Sequence, residues 1–133
     1  MSVKLIDGKQ IAADVRQEVA ERAKVLTERT GSRPGLATVL VGEDPASQTY
    51  VRMKHKACEE AGIESFSVVM EKTSTQAEIE AEVDKLAADS RVHGILVQLP
   101  LPDHIDTEAV LARVPLEKDV DGFHPMNVGL LAR

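Results

Sequence analysis

The segment "GLATVLVGEDPASQTYVRMKHKACEEAGI", Gly35 to Ile63, decides the fold. Its first eight residues form an apolar run rich in β-formers, bounded by Pro34 and Gly42, and predict a buried strand. A helix follows at once. Asp44 is a good N-cap, Pro45 suits the first helical position and Gly62 can close the helix in the left-handed conformation, so the helix spans about Pro45 to Ala61. At roughly 100° per residue, Ser47, Tyr50, Val51, Lys54, Cys58 and Ala61 share one inward stripe, whereas Arg52, Lys56, Glu59 and Glu60 face water. Lys54 is therefore on the wrong side for an ordinary solvated charge. Either its stem snorkels past the edge of the core or its amine is held in a pocket.

The alternation continues in both directions. Upstream, Asp7 precedes "GKQIAADVRQEVAERAKVLTERTG", in which Ile11, Val15, Val19, Ala23 and Leu26 keep helical spacing until Gly31 ends the helix. Downstream, "ESFSVVME" predicts a second strand, and Thr75 with Glu78 forms a capping-box pattern for a helix whose inner face is Ile79, Val83 and Leu86. "GILVQL" is a third strand, stopped by the prolines of "PLP"; "DTEAVLARV" is a short helix ended by Pro115, and "LEKDVDGFHPMN" is a loop. The N-terminal "VKLI" offers an edge strand. Strands and helices alternating at this spacing define an α/β protein, a three-layer α/β/α arrangement with a mainly parallel sheet. The final "NVGLLAR" reads as the start of another helix and points to a continuation.

The 133 residues suffice for one domain with a real core. With 43% hydrophobic and 29% charged residues the chain is of the soluble globular class, and a net charge of −6 argues against a general nucleic-acid surface. No apolar run approaches the roughly 20 residues of a membrane helix, and "MSVKLIDGKQ" is too polar for a secretory signal. A cytoplasmic setting is expected. The single Cys58 rules out an internal disulfide and reads as a small core residue. No metal is expected: His55, His93, His104 and His124 lack a zincin spacing or a cysteine cluster and read as surface or loop residues.

In open parallel sheets, ligands gather outside the carboxyl ends of the strands. Three features converge there: the helix bearing Ser47, Tyr50 and Lys54, Gln98 at a strand end, and Asp121 in a nearby loop. Tyr50 and Lys54 stand about 6 Å apart along their helix axis, so a planar molecule stacked on the phenol would bring its edge to the ammonium. Gln98 interrupts an apolar strand, and its amide must either satisfy backbone groups or face a ligand. Asp119 and Asp121 would project the same way from an extended loop, although turn formation is the ordinary role of carboxylates in "KDVDG". Neither G-x-G-x-x-G nor G-x-x-x-x-G-K-[ST] occurs, so the chain lacks the usual means of holding a dinucleotide.

Taken together, "VGEDPASQTYVRMKHKACEEAGI", "GILVQLPLP" and "EKDVDGFHPMNVG" resemble the signature blocks of the bifunctional methylenetetrahydrofolate dehydrogenase/methenyltetrahydrofolate cyclohydrolase family. The resemblance runs from Val3 to Arg133, in the family's order and spacing, and covers the first half of the family's chain. It implies that residues 1–133 are an N-terminal folate-binding catalytic domain, lacking the C-terminal Rossmann domain that binds NADP (or NAD) and supplies most contacts of the family's homodimer. The implied partners are tetrahydrofolate derivatives of one-carbon metabolism.

The resemblance also assigns roles. Tyr50 stacks on the folate ring system, Lys54 is the main catalytic group and Ser47 hydrogen-bonds with it. Gln98 positions the lysine and the one-carbon centre, Val97 and Leu99 flank it in the substrate wall, and Asp121 holds the polar edge of the pterin. The alternative is a folate-binding or interaction module with no turnover of its own.

Overall fold

The computed structural model describes residues 2–133. Asp7 accepts hydrogen bonds from the amides of Lys9 and Gln10 and starts α1 (Gly8–Thr30), which Gly31 closes at φ 76°. β1 (Gly35–Val41) leads into α2 (Pro45–Glu60), capped by the Asp44 carboxylate on the Ser47 amide. At its other end the Ile63 amide reaches back to the Cys58 carbonyl, with Gly62 left-handed at φ 73°, a Schellman closure. β2 (Glu64–Met70) is followed by α3 (Gln76–Ala88), whose capping box between Thr75 and Glu78 is complete. β3 (Gly94–Val97), α4 (Thr107–Leu111), a 3-10 turn at Leu116–Lys118 and α5 (Pro125–Leu131) complete the order.

The three strands form one parallel sheet in the order β2-β1-β3. Side chains alternate across it. Ala37, Val39 and Val41 of β1 and Ile95 and Val97 of β3 face a buried cluster completed by Ile79, Val83 and Leu86 of α3 and Val110 and Leu111 of α4. Thr38 and Leu40 point to the opposite face, which α2 covers with Val51, Cys58 and Ala61, all buried. Helices thus lie on both faces of a parallel sheet, the α/β class the sequence predicts.

Two glycines let backbone and side chain approach the sheet. A Cβ on Gly35 would lie 2.0 Å from the Arg91 carbonyl oxygen, and one on Gly94 would lie 2.5 Å from Cγ1 of Val120. The second contact seats the loop after the 3-10 turn directly over β3.

Several expectations are corrected. "VKLI" forms no strand: Val3, Leu5 and Ile6 are more than four-fifths exposed and pair with no strand among the described residues. α1 forms as expected, but its apolar stripe stands open: Ile11, Val15, Val19 and Leu26 are exposed and only Ala23 is buried. Periodicity reports that a helix is amphipathic; it cannot report whether the described residues include anything to cover it. The expected third strand is shorter, ending at Val97, although the Gln98 amide still donates to the Val39 carbonyl at 2.8 Å. Part of the expected "LEKDVDGFHPMN" loop is ordered as the 3-10 turn and the first turn of α5, with His124 Nδ1 accepting from the Met126 amide as N-cap. Among the described residues, no helix is long and apolar enough to cross a membrane.

Candidate active site

α2 leaves the carboxyl end of β1 and runs back over the sheet, so its first turns stand at the edge where the strands end. This decides how the stripe is divided. Ser47, Val51, Cys58 and Ala61 are buried against the sheet, while Lys54 is half-buried. Tyr50, expected inward, is 55% exposed. It sits on the flank of the stripe, about 100° round the helix from Val51, whereas Ser47 and Cys58 lie close to the Val51 direction.

The lysine amine does not run free to solvent. Lys54 Nζ donates to Gln98 Oε1 at 2.9 Å, joining α2 to the end of β3 across 44 residues of chain. The Gln98 amide is oriented by its other half, since Nε2 donates to the Leu99 carbonyl at 3.0 Å. An amide turned the other way would set its NH2 against the ammonium and its oxygen against a carbonyl. The half-buried glutamine thus satisfies backbone and lysine together. The Leu99–Pro100 peptide beside it is cis.

Asp121 completes the cluster from the loop over β3. Its carboxyl is raised above the ordinary aspartate value, chiefly by desolvation; the Lys54 charge opposes the shift and the Asp119 charge adds to it. The residue is exposed by area, so the desolvation reflects crowding around the carboxyl rather than a sealed site. Asp119 and Asp121 do not share a role. Asp119 is lowered, because Asn127 and the amides of His124, Phe123 and Gly122 outweigh its own desolvation.

Other expected residues lie differently. Ser47 is buried, but its amide bonds to the Asp44 carboxylate at 2.8 Å, and no hydrogen bond joins it to Lys54 among the described residues. Two helical turns separate them. Val97 is 3% exposed within the core cluster, so its side chain belongs to the core rather than to the open edge. Strand alternation sends it to the α3 face. Leu99 is half-buried and packs on the rim of the same cluster.

The histidines have structural partners. His93 Nδ1 accepts the Gly35 amide, His104 Nε2 meets the Ser74 carbonyl and His55 Nε2 pairs with Glu59. Among the described residues, no group of three or more His, Cys, Asp or Glu side chains converges as metal ligands.

Of the larger grooves of the chain, one runs along α1, lined by Val19, Val25, Leu26, Arg29, Pro34 and Ile63, and another lies between the end of β2 and α3, beside Met70, Ser74 and Glu82. They contain none of the candidate residues. The Lys54 edge has less concavity but more chemistry: an amine, an amide and a carboxyl brought together from three elements at the carboxyl end of a parallel sheet.

Fold and site define an α/β domain with a lysine–amide pair at the ends of its strands. The family model described as "Tetrahydrofolate dehydrogenase/cyclohydrolase, catalytic domain" matches residues 6–121. The chain belongs to that family. It is 56% identical over 131 residues to the bifunctional protein FolD of Moorella thermoacetica, covering 98% of this chain and 46% of that protein. The crystal structure of the bifunctional enzyme FolD from Campylobacter jejuni superimposes with a TM-score of 0.94 at 48% identity, over 98% of this chain and 46% of that one. A FolD from Trypanosoma brucei, complexed with NADP and inhibitor, gives 0.92 at 43% identity, over 98% and 45%. The chain thus spans about half the length of the relatives it matches.

Proposed function

We propose that residues 1–133 are the folate-binding catalytic half of a two-domain enzyme of one-carbon metabolism. That enzyme would oxidise methylenetetrahydrofolate with NADP (or NAD) and hydrolyse the methenyl product to formyltetrahydrofolate, in a cytoplasmic setting and as a homodimer. The observation that carries the proposal is the 2.9 Å hydrogen bond from Lys54 Nζ to Gln98 Oε1, with Asp121 in electrostatic reach of the same amine.

The chemistry follows from the donors. With one N–H of Lys54 committed to Gln98, the rest of the amine faces the open edge, where an incoming water or a tetrahedral adduct could exchange protons with it. Gln98 fixes where the nitrogen stands, which governs the distance to the reacting carbon. An ionised Asp121 accepts paired N–H bonds such as a pterin edge presents, and the exposed Tyr50 ring offers a face for stacking.

The residues of this chain do not fit the nicotinamide cofactor. The β1–α2 junction is Gly42-Glu43-Asp44, two carboxylates where a pyrophosphate would need donors, and no phosphate-binding glycine motif occurs elsewhere. No hydride step is assigned to these residues.

One observation favours the alternative, a folate-binding module without turnover. Tyr50 stands 55% exposed, and nothing among the described residues shields the amine edge from water. Two measurements decide. Calorimetry with tetrahydrofolate is expected to show binding to this chain, and no binding sinks both forms of the folate assignment. Hydrolysis of methenyltetrahydrofolate above the uncatalysed rate, lost in Lys54→Met, separates enzyme from module.

A further inference from the structure

Asp119 is the most heavily bonded side chain of the site region, yet none of its bonds is to the Lys54 amine. Its Oδ2 accepts the His124 amide at 2.9 Å and Asn127 Nδ2 at 2.9 Å, and its Oδ1 accepts the Phe123 amide at 3.3 Å. Its carbonyl accepts the Gly122 amide at 3.4 Å, with Gly122 left-handed at φ 68°. Its backbone forms a parallel bridge to Ile95, so the loop continues the sheet beside β3.

The neighbouring residues are fixed as well. Val120 occupies the space above Gly94 that a Cβ would take. Lys118 Nζ is bonded to the carbonyls of Ala87 and Asp89 at the end of α3. Asn127 also donates to the Leu116 carbonyl, tying the start of α5 to the near end of the loop. Along Lys118–Asp121, Lys118 and Asp119 spend their polar groups on the protein itself, and Val120, though 53% exposed, rests one methyl on Gly94.

We propose that Asp119 is a positioning residue: its carboxylate gathers the Phe123 and His124 amides and Asn127 into one closed turn, and that turn fixes Asp121 opposite Lys54. Only a carboxylate suits the place, because both oxygens face donors and an asparagine would turn its NH2 towards at least one of them. Having its own donors, Asp119 makes no claim on the lysine, which is left to Gln98 and Asp121. Asp119 touches no ligand. It acts through the placement of its neighbour two residues on.

The ligand part of this proposal rests on the folate assignment, and the experiment separates the two. Tetrahydrofolate affinity is measured by calorimetry for wild type, Asp119→Ala, Asp121→Asn and the double variant. Asp119→Ala is expected to weaken binding about tenfold, and in the Asp121→Asn background by less than about twofold, because the residue it positions is already gone. Wild-type affinity in Asp119→Ala, or losses that multiply in the double variant, would overturn the proposal; a purely structural residue gives multiplied losses. If Asp119→Ala does not fold, Asn127→Ala removes one of the three donors and enters the same cycle.

If wild type does not bind tetrahydrofolate, the folate assignment has failed, and the positioning claim is decided by a carboxyl titration of Asp121 followed by NMR. Lys54→Met is then expected to raise the Asp121 midpoint in the wild-type loop and to leave it unmoved in Asp119→Ala. An equal rise in both backgrounds overturns the proposal.

Discussion

At the scale of single residues, the site is a matter of which polar groups are spoken for. Lys54 has one acceptor in Gln98 Oε1, and a methionine there would keep the stem's packing while removing the proton carrier. Lys54→Met should therefore lower methenyltetrahydrofolate hydrolysis at least about 10²-fold, measured in the two-domain enzyme proposed above, with an unchanged thermal midpoint. Asp121 gives a prediction with a sign. Its folded carboxyl is raised, so ionising it opposes folding, and its contribution falls as pH rises through the carboxylate range. Asp121→Asn should thus be more stable than wild type at pH 7, with the gap closing as pH drops below that range in chemical denaturation. Asp89 has the opposite sign: Arg91 holds it at about 2, so the stability it lends is present near neutrality and fades as pH falls through about 2. Asp89→Asn should remove that acid-side loss.

At the scale of elements, close approaches set the tolerances. The N-terminal end of β1 admits no side chain at Gly35, where the Arg91 carbonyl is backbone and cannot step aside. Gly35→Ala should cost more than about 1–3 kcal/mol, the usual range for overpacking, read from urea midpoints. The helix α2 shows how far a stripe can be trusted. Its period placed Val51, Cys58 and Ala61 against the sheet, and so they lie. It did not separate Tyr50 from them, because Tyr50 lies on the flank of the stripe and the period alone does not say how wide a stripe the sheet covers. The "KDVDG" turn was legible as a turn, but not its division of labour. Two carboxylates two residues apart look alike in sequence, and only the amides of Phe123 and His124 closing on Asp119 leave Asp121 to the lysine.

At the scale of the molecule, stability is concentrated between the sheet and α3. Ile79 and Val83 are fully buried there, whereas Val15 of α1 is 52% exposed. Ile79→Ala should cost about 2–5 kcal/mol in urea unfolding. Val15→Gln should stay within about 0.5 kcal/mol, although both positions belong to equally regular apolar stripes. If Val15→Gln destabilised this chain as much as a core substitution, the open face of α1 described here would be wrong.

The sequence by itself determined the alternation of strands and helices, the caps of α1, α2 and α3, and the meeting of Lys54, Gln98 and Asp121 at one edge of the sheet. These rest on local preference and on the chirality of parallel crossovers, which act over short stretches of chain. Only the tertiary structure decided that the Gln98 amide turns its oxygen to Lys54, that Val97 points to the core, and that the stripe of α1 stands uncovered. Each of those depends on partners far away in sequence, where a side chain's direction is set by what it meets rather than by its neighbours in the chain.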